Sequence, residues 1–170
     1  MKGTKRLAVL AMFTAIALTI FVAEAQIPPI VPIPGVKLGL ANIVTLIAMA
    51  LLGRRQAGEI LLVRIVLGSM FTGGVSAMLF SIAGGVFAYL IMRLTIHRFP
   101  ERLLWVVSVL AAFGHNAGQL LVAVWVTGTP SILVYAPALV AASVITGAFT
   151  GAAAMYLVRA LRKTGHFPQT

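Results

Sequence analysis

Long apolar runs separated by short clusters of basic residues are the feature that most limits what this chain can become. Only 9% of its residues are charged and 61% are hydrophobic, against roughly 25% charged in an average soluble domain. Such runs are stable in lipid. There the backbone has no water to bond, so a spanning segment must satisfy its own amides as a helix or in a closed barrel. Runs of about 20 apolar residues fit helices, and reading them between the charged clusters predicts spans at about 7–26, 38–53, 57–72, 75–96, 103–127 and 132–158. The expectation is an all-α integral membrane protein, a six-transmembrane-helix bundle forming one membrane domain over residues 1–170, with no room for a separate soluble domain.

Charge placement orients the bundle. Of the 13 lysines and arginines, all except Lys37 and Arg64 fall in four clusters: Lys2, Lys5 and Arg6; Arg54 and Arg55; Arg93, Arg98 and Arg102; Arg159, Arg162 and Lys163. Lysine and arginine close to span ends stay on the cytoplasmic side, so both termini are expected in the cytoplasm of a prokaryotic cell, at its cytoplasmic membrane. The net charge of +10 therefore reflects membrane topology and gives no reason to expect nucleic acid as a partner. The N-terminal "MKGTKR", an apolar run and Ala23-Glu24-Ala25 have the outline of a secretory signal. The run is long for a signal core, and we expect this first helix to be retained.

Residues 27–37, "IPPIVPIPGVK", form the longest connection expected on the opposite face. Proline stiffens such a segment and ends helices, while glycine permits a sharp bend. Pro32, Pro34, Gly35 and Lys37 are read here either as a lid over the outer end of the bundle or as an ordinary rigid connector. Small residues spaced four apart allow membrane helices to approach closely. Ala77, Ser81 and Gly85 form one such ridge, Ser143, Gly147 and Gly151 another, and Ala11 with Ala15 a third. The first two are expected inside the bundle; the third also suits a partner.

Polar groups at membrane depth mark candidate sites. Arg64 lies in the middle of the third run, where an unpaired arginine costs at least ~2.5 kcal/mol. Glu24 is the acid best placed to neutralise it across helices. In "GHNAGQ", His115 and Gln119 share a helix face, Asn116 is adjacent, and Gly114 and Gly118 are expected to leave space beside them. Asn42, at the head of the second run, completes the candidate substrate-binding set.

Several chemistries are excluded. The chain has no aspartate and three scattered glutamates, so it lacks the clustered carboxylates that hold magnesium on diphosphates. It has no phosphate-binding G-x-x-x-x-G-K-[ST] loop for ATP, no recognisable nucleophile, base and acid set, and no cysteine. No histidines have ligand spacing, so no metal and no cofactor is expected. The chain is read as a non-enzyme.

The order of Ala-x-x-x-Ala helix, proline-rich loop, "VKLGLANIV", "LLG" and a short third helix resembles the substrate-binding S components of energy-coupling factor transporters. "PGVKLGLANIVTL" and "GHNAGQL" more narrowly resemble the Gx transporter family, whose members are labelled heptaprenyl diphosphate synthase component I. The resemblance implies a subunit that binds a small organic solute, vitamin-like or a quinone or isoprenoid precursor, with the loop closing over the site. It also implies that Ala11 and Ala15 dock on a transmembrane T component driven by two ATPase subunits. The label implies an alternative, a non-catalytic membrane subunit of a polyprenyl diphosphate synthase.

Overall fold

The computed structural model describes residues 3–28, 37–72, 74–165 and 167. Among these all the regular structure is helical: α1 Gly3–Glu24, α2 Asn42–Leu51, α3 Arg54–Thr72, α4 Gly74–Thr95, α5 Leu104–Thr127 and α6 Ala136–Lys163, with short 3-10 turns at Glu101–Leu103 and Pro130–Tyr135. Among the described residues four stretches are long and apolar enough to cross a membrane: Gly3–Glu24, Gly74–Thr95, Glu101–Thr127 and Pro130–Lys163. α3 has 19 residues but carries Arg54, Arg55, Glu59 and Arg64.

The run expected as a second span, 38–53, is helical only over Asn42–Leu51. Its helix has only 10 residues, about 15 Å of rise, half of a hydrocarbon core. The head of this segment is not helical because Gly39 takes φ +78°, a left-handed conformation that few other residues adopt. At its far end Leu52 donates its backbone N–H to Ala48 and the helix stops at Gly53, which has φ +101°. The sixth run also begins differently. Residues 130–135 form a 3-10 turn, and α6 starts at Ala136 with proline in its first turn, where a missing N–H leaves no helical bond unmade.

α2 is the centre of the bundle. Val44, Thr45, Leu46, Ile47, Ala48, Met49 and Leu51 are buried, so the helix is enclosed on all sides, as an all-apolar helix must be. It packs on α1, α3, α4 and α6. Small residues set the other contacts. A Cβ on Gly147 or Gly151 would lie 2.6 Å from Val109 Cα or 2.4 Å from Trp105 Cα, so α5 and α6 meet backbone to backbone. Ala77, Ser81 and Gly85 are likewise buried. Ala11 and Ala15 are exposed on α1 and take no part in this internal packing. Large apolar side chains including Phe71, Trp125, Phe149 and Tyr156 cover the outside, a surface suited to lipid rather than water.

The basic clusters gather at one end. Arg6 on α1 and Arg55 on α3 both bind Glu59, at 3.2 and 3.1 Å. Arg159 and Arg162 on α6 bind Glu101 before α5, and Arg162 also donates to the Ala50 carbonyl near the end of α2, at 3.2 Å.

Candidate functional site

At the other end of α2 the bundle holds a group of polar side chains from four elements. α1 ends in Glu24, α2 begins with Asn42, α3 contributes Arg64 and α5 contributes His115 and Gln119. All five are at least 93% buried. Unbonded, such a set in an apolar bundle costs several kcal/mol per charged group, so its internal bonding decides what it can do.

Glu24 holds the chain before α2. Its carboxylate accepts hydrogen bonds from the backbone N–H of Gly39 and, at 3.4 Å, of Ala41. Gln119 Oε1 accepts from the Lys37 N–H at 3.1 Å. The segment 37–41 is thereby fastened to α1 and α5 across the head of α2. Lys37 sends its ammonium group over the Phe21 ring, 3.6 Å from the centroid, a cation–π contact. Burial lowers the pKa of this amine, opposed by the Glu24 carboxylate and reinforced by the Arg64 charge. Phe21 reaches this place because Gly68 on α3 has no Cβ, which would lie 2.6 Å from the ring.

Arg64 does not form a direct ion pair with Glu24. Its Nη2 donates to Asn42 Oδ1 at 3.4 Å, and its guanidinium carbon lies 5.7 Å from the Phe21 centroid. Asn42 Nδ2 in turn lies 3.1 Å from His115 Nδ1. The ring is clamped between two glycines: a Cβ on Gly39 would meet His115 Cδ2 at 2.7 Å, and one on Gly84 would meet Cε1 and Nδ1 at 2.6 Å. Arg64 Nε and His115 Nε2 are buried without a hydrogen-bond partner. Phe21, Glu24, Lys37, Arg64, His115 and Gln119 line one cavity of about 10 Å³, space for about one water molecule.

The structure separates Asn116 from the other candidates. One residue further along the helix, about 100° around it, Asn116 faces α6 and donates to the Leu139 carbonyl and Ser143 Oγ at 3.1 and 2.8 Å. The space expected beside Gly114 and Gly118 is filled by α4, since a Cβ on Gly118 would be 2.7 Å from the Ala83 carbonyl oxygen and one on Gly114 2.3 Å from Ile91 Cδ1. These glycines allow close helix contact instead of opening a pocket. Of the lid residues, Lys37 sits at the cavity, whereas Pro32, Pro34 and Gly35 lie outside the described residues. Ser81 and Phe21, not anticipated from sequence, belong to the site or its wall. Among the described residues no three histidines or acids come together as a metal site.

A family model described as heptaprenyl diphosphate synthase component I matches residues 13–157. Comparison with curated proteins and with solved structures finds no match.

Proposed function

This chain belongs to the heptaprenyl diphosphate synthase component I family, and on that premise we propose that it is a substrate-binding membrane subunit, an S component of an energy-coupling factor-type importer, for a small organic solute. Within the proposal all six helices form the membrane bundle with both termini in the cytoplasm. The solute, vitamin-like or a quinone or isoprenoid precursor, binds at the head of α2 from outside. The observation that carries the reading is the convergence of Glu24, Asn42, Arg64, His115 and Gln119 at one buried point beneath a fastened chain segment. A bundle stabilised by lipid contacts alone has no need of a buried arginine whose Nε lacks a partner.

In this reading the solute displaces segment 37–41, breaking its bonds to Glu24 and Gln119, because the cavity of about 10 Å³ is far below the several hundred Å³ of ordinary ligand sites. The exposed Ala11 and Ala15 offer a flat strip for a T component, which two ATPase subunits would drive. The chain performs no catalysis of its own.

The family's description favours a second reading, a non-catalytic membrane subunit of a polyprenyl diphosphate synthase. Native mass spectrometry of the protein, gently extracted from its own membrane, separates the two. A retained small metabolite, with or without a T component and ATPases, is the expected result. A co-purifying prenyl synthase and an empty site would replace it with the second reading.

A further inference from the structure

We propose that the cavity at the head of α2 selects a monoanion, a carboxylate carried on an otherwise uncharged body, and that Asn42 enforces this choice by holding His115 in the tautomer protonated on Nε2. The proposal rests on the solute-binding reading above and specifies its ligand.

The tautomer follows from the chain of contacts. Arg64 is a donor only, so the Asn42 atom it meets is the oxygen, as found for Nη2 and Oδ1. That leaves the Asn42 amide nitrogen, also a donor only, facing His115 Nδ1. Nδ1 must then accept, and in a neutral imidazole the proton sits on the other nitrogen. A doubly protonated ring would set one N–H against another. His115 therefore presents Nε2–H, buried and without a partner, and Arg64 presents Nε–H in the same condition. Both residues line the same cavity. Two buried donors without acceptors call for a ligand that brings acceptor oxygens, and a cation beside them strengthens those bonds.

Charge sets the number of negative groups. Among the described residues lining the cavity, Arg64 and Lys37 carry positive charge and Glu24 negative. One positive charge is left over. A monoanion neutralises it, whereas a dianion such as a phosphate monoester leaves a net negative charge beside the Glu24 carboxylate, in a place where water cannot relieve the repulsion. A place for the rest of the molecule lies next door. A second cavity of about 10 Å³ is lined by Leu38, Met92, Ala111 and Ala112 together with Asn42, Ser108, Thr146 and Thr150, and it shares Gly39 with the first. Lifting segment 37–41 removes Gly39 from both at once and joins a charged compartment to one that holds no charged side chain.

Two measurements on the full chain in detergent test this. The first is 15N NMR of histidine-labelled protein, with His115 assigned by comparison with His115→Gln. The expected spectrum has a protonated Nε2 and an unprotonated Nδ1; the reverse tautomer overturns the proposal whatever the ligand. The second is the thermal midpoint with benzoate, benzamide and phenyl phosphate as probes, in the native chain and in Asn42→Asp. That variant is nearly the same shape, but its carboxylate neutralises Arg64 and pulls the ring proton to Nδ1. Benzoate is expected to raise the midpoint more than either other probe, and Asn42→Asp is expected to weaken benzoate binding by at least about tenfold.

Benzamide or phenyl phosphate equalling benzoate overturns the monoanion assignment, as does an unchanged benzoate response in Asn42→Asp. If either of those probes acts and Arg64→Gln abolishes its effect, solute binding survives and only the ligand class falls. With no shift from any probe, the metabolite found by native mass spectrometry decides. A retained monocarboxylate supports the proposal, any other metabolite overturns it alone, and an empty site removes both readings.

Discussion

Glu24 illustrates how much one side chain can hold. Its carboxylate takes N–H groups from Gly39 and Ala41, donors of the non-helical segment that leads into α2. A carboxylate at a helix N-terminus is also favoured by the helix dipole. Replacing it as Glu24→Gln removes the charge from bonds worth about 2 kcal/mol, and the expected outcome is a lower thermal midpoint together with a looser segment 37–41. The natural chain contains no cysteine, so a single Leu38→Cys reporter can be labelled without background. Thiol labelling of that reporter should accelerate in Glu24→Gln; an unchanged rate would mean that the carboxylate does not fasten the segment. Gly39→Ala combines a strained φ of +78° with a Cβ 2.7 Å from His115. It should cost ~1–3 kcal/mol, more than Gly128→Ala, where φ is +63° but nothing lies within 4 Å. Equal midpoints for the two would remove the clamp on the ring.

Between helices the decisive distances are backbone distances. Gly151→Ala places a methyl 2.4 Å from Trp105 Cα, an atom that cannot swing aside, so α5 and α6 must separate and the expected loss is ~1–3 kcal/mol in reversible unfolding. Tolerance of alanine at 151 would show that α5 and α6 do not meet backbone to backbone there. The spacing of Ser143, Gly147 and Gly151 made that contact legible in the sequence, because small residues four apart have few other uses in a membrane helix. Helices α1, α4 and α5 were legible for a similar reason, being long apolar runs closed by basic residues. α2 was not. Apolar composition is the same for a long helix and for a ten-residue helix buried on every side, and the positive φ of Gly39 and Gly53 on either side of it cannot be read from one sequence. Arg64, His115, Gln119 and Glu24 were legible because polar groups at membrane depth are costly. Asn116 carried the same signal yet serves the contact with α6; composition could not say which way the side chain points. Phe21 and Gly68 gave no signal, since an aromatic ring resting on a glycine looks like ordinary core until the helices are in place.

For the whole molecule, the two ends of the bundle divide the labour. One end collects arginines on Glu59 and Glu101, and the other holds the cavity. Ala11 and Ala15 face outward between them and touch none of the internal packing. Ala11→Trp or Ala15→Trp should therefore leave the stability of the isolated chain within about 0.5 kcal/mol of its natural value; if the chain is the importer subunit proposed above, the same variants should abolish co-purification with a T component and uptake in cells. Uptake that persists in both variants would place the docking face elsewhere. The shortness of α2 bears on the energetics of passage. With its lower end at the level of Arg162 and Ala50 and its head at the cavity, the helix measures about 15 Å, half the thickness of a hydrocarbon core. Under the importer role proposed above, a solute held at the head of α2 would still face the length of this helix, enclosed on every side, before it could leave at the arginine-rich end.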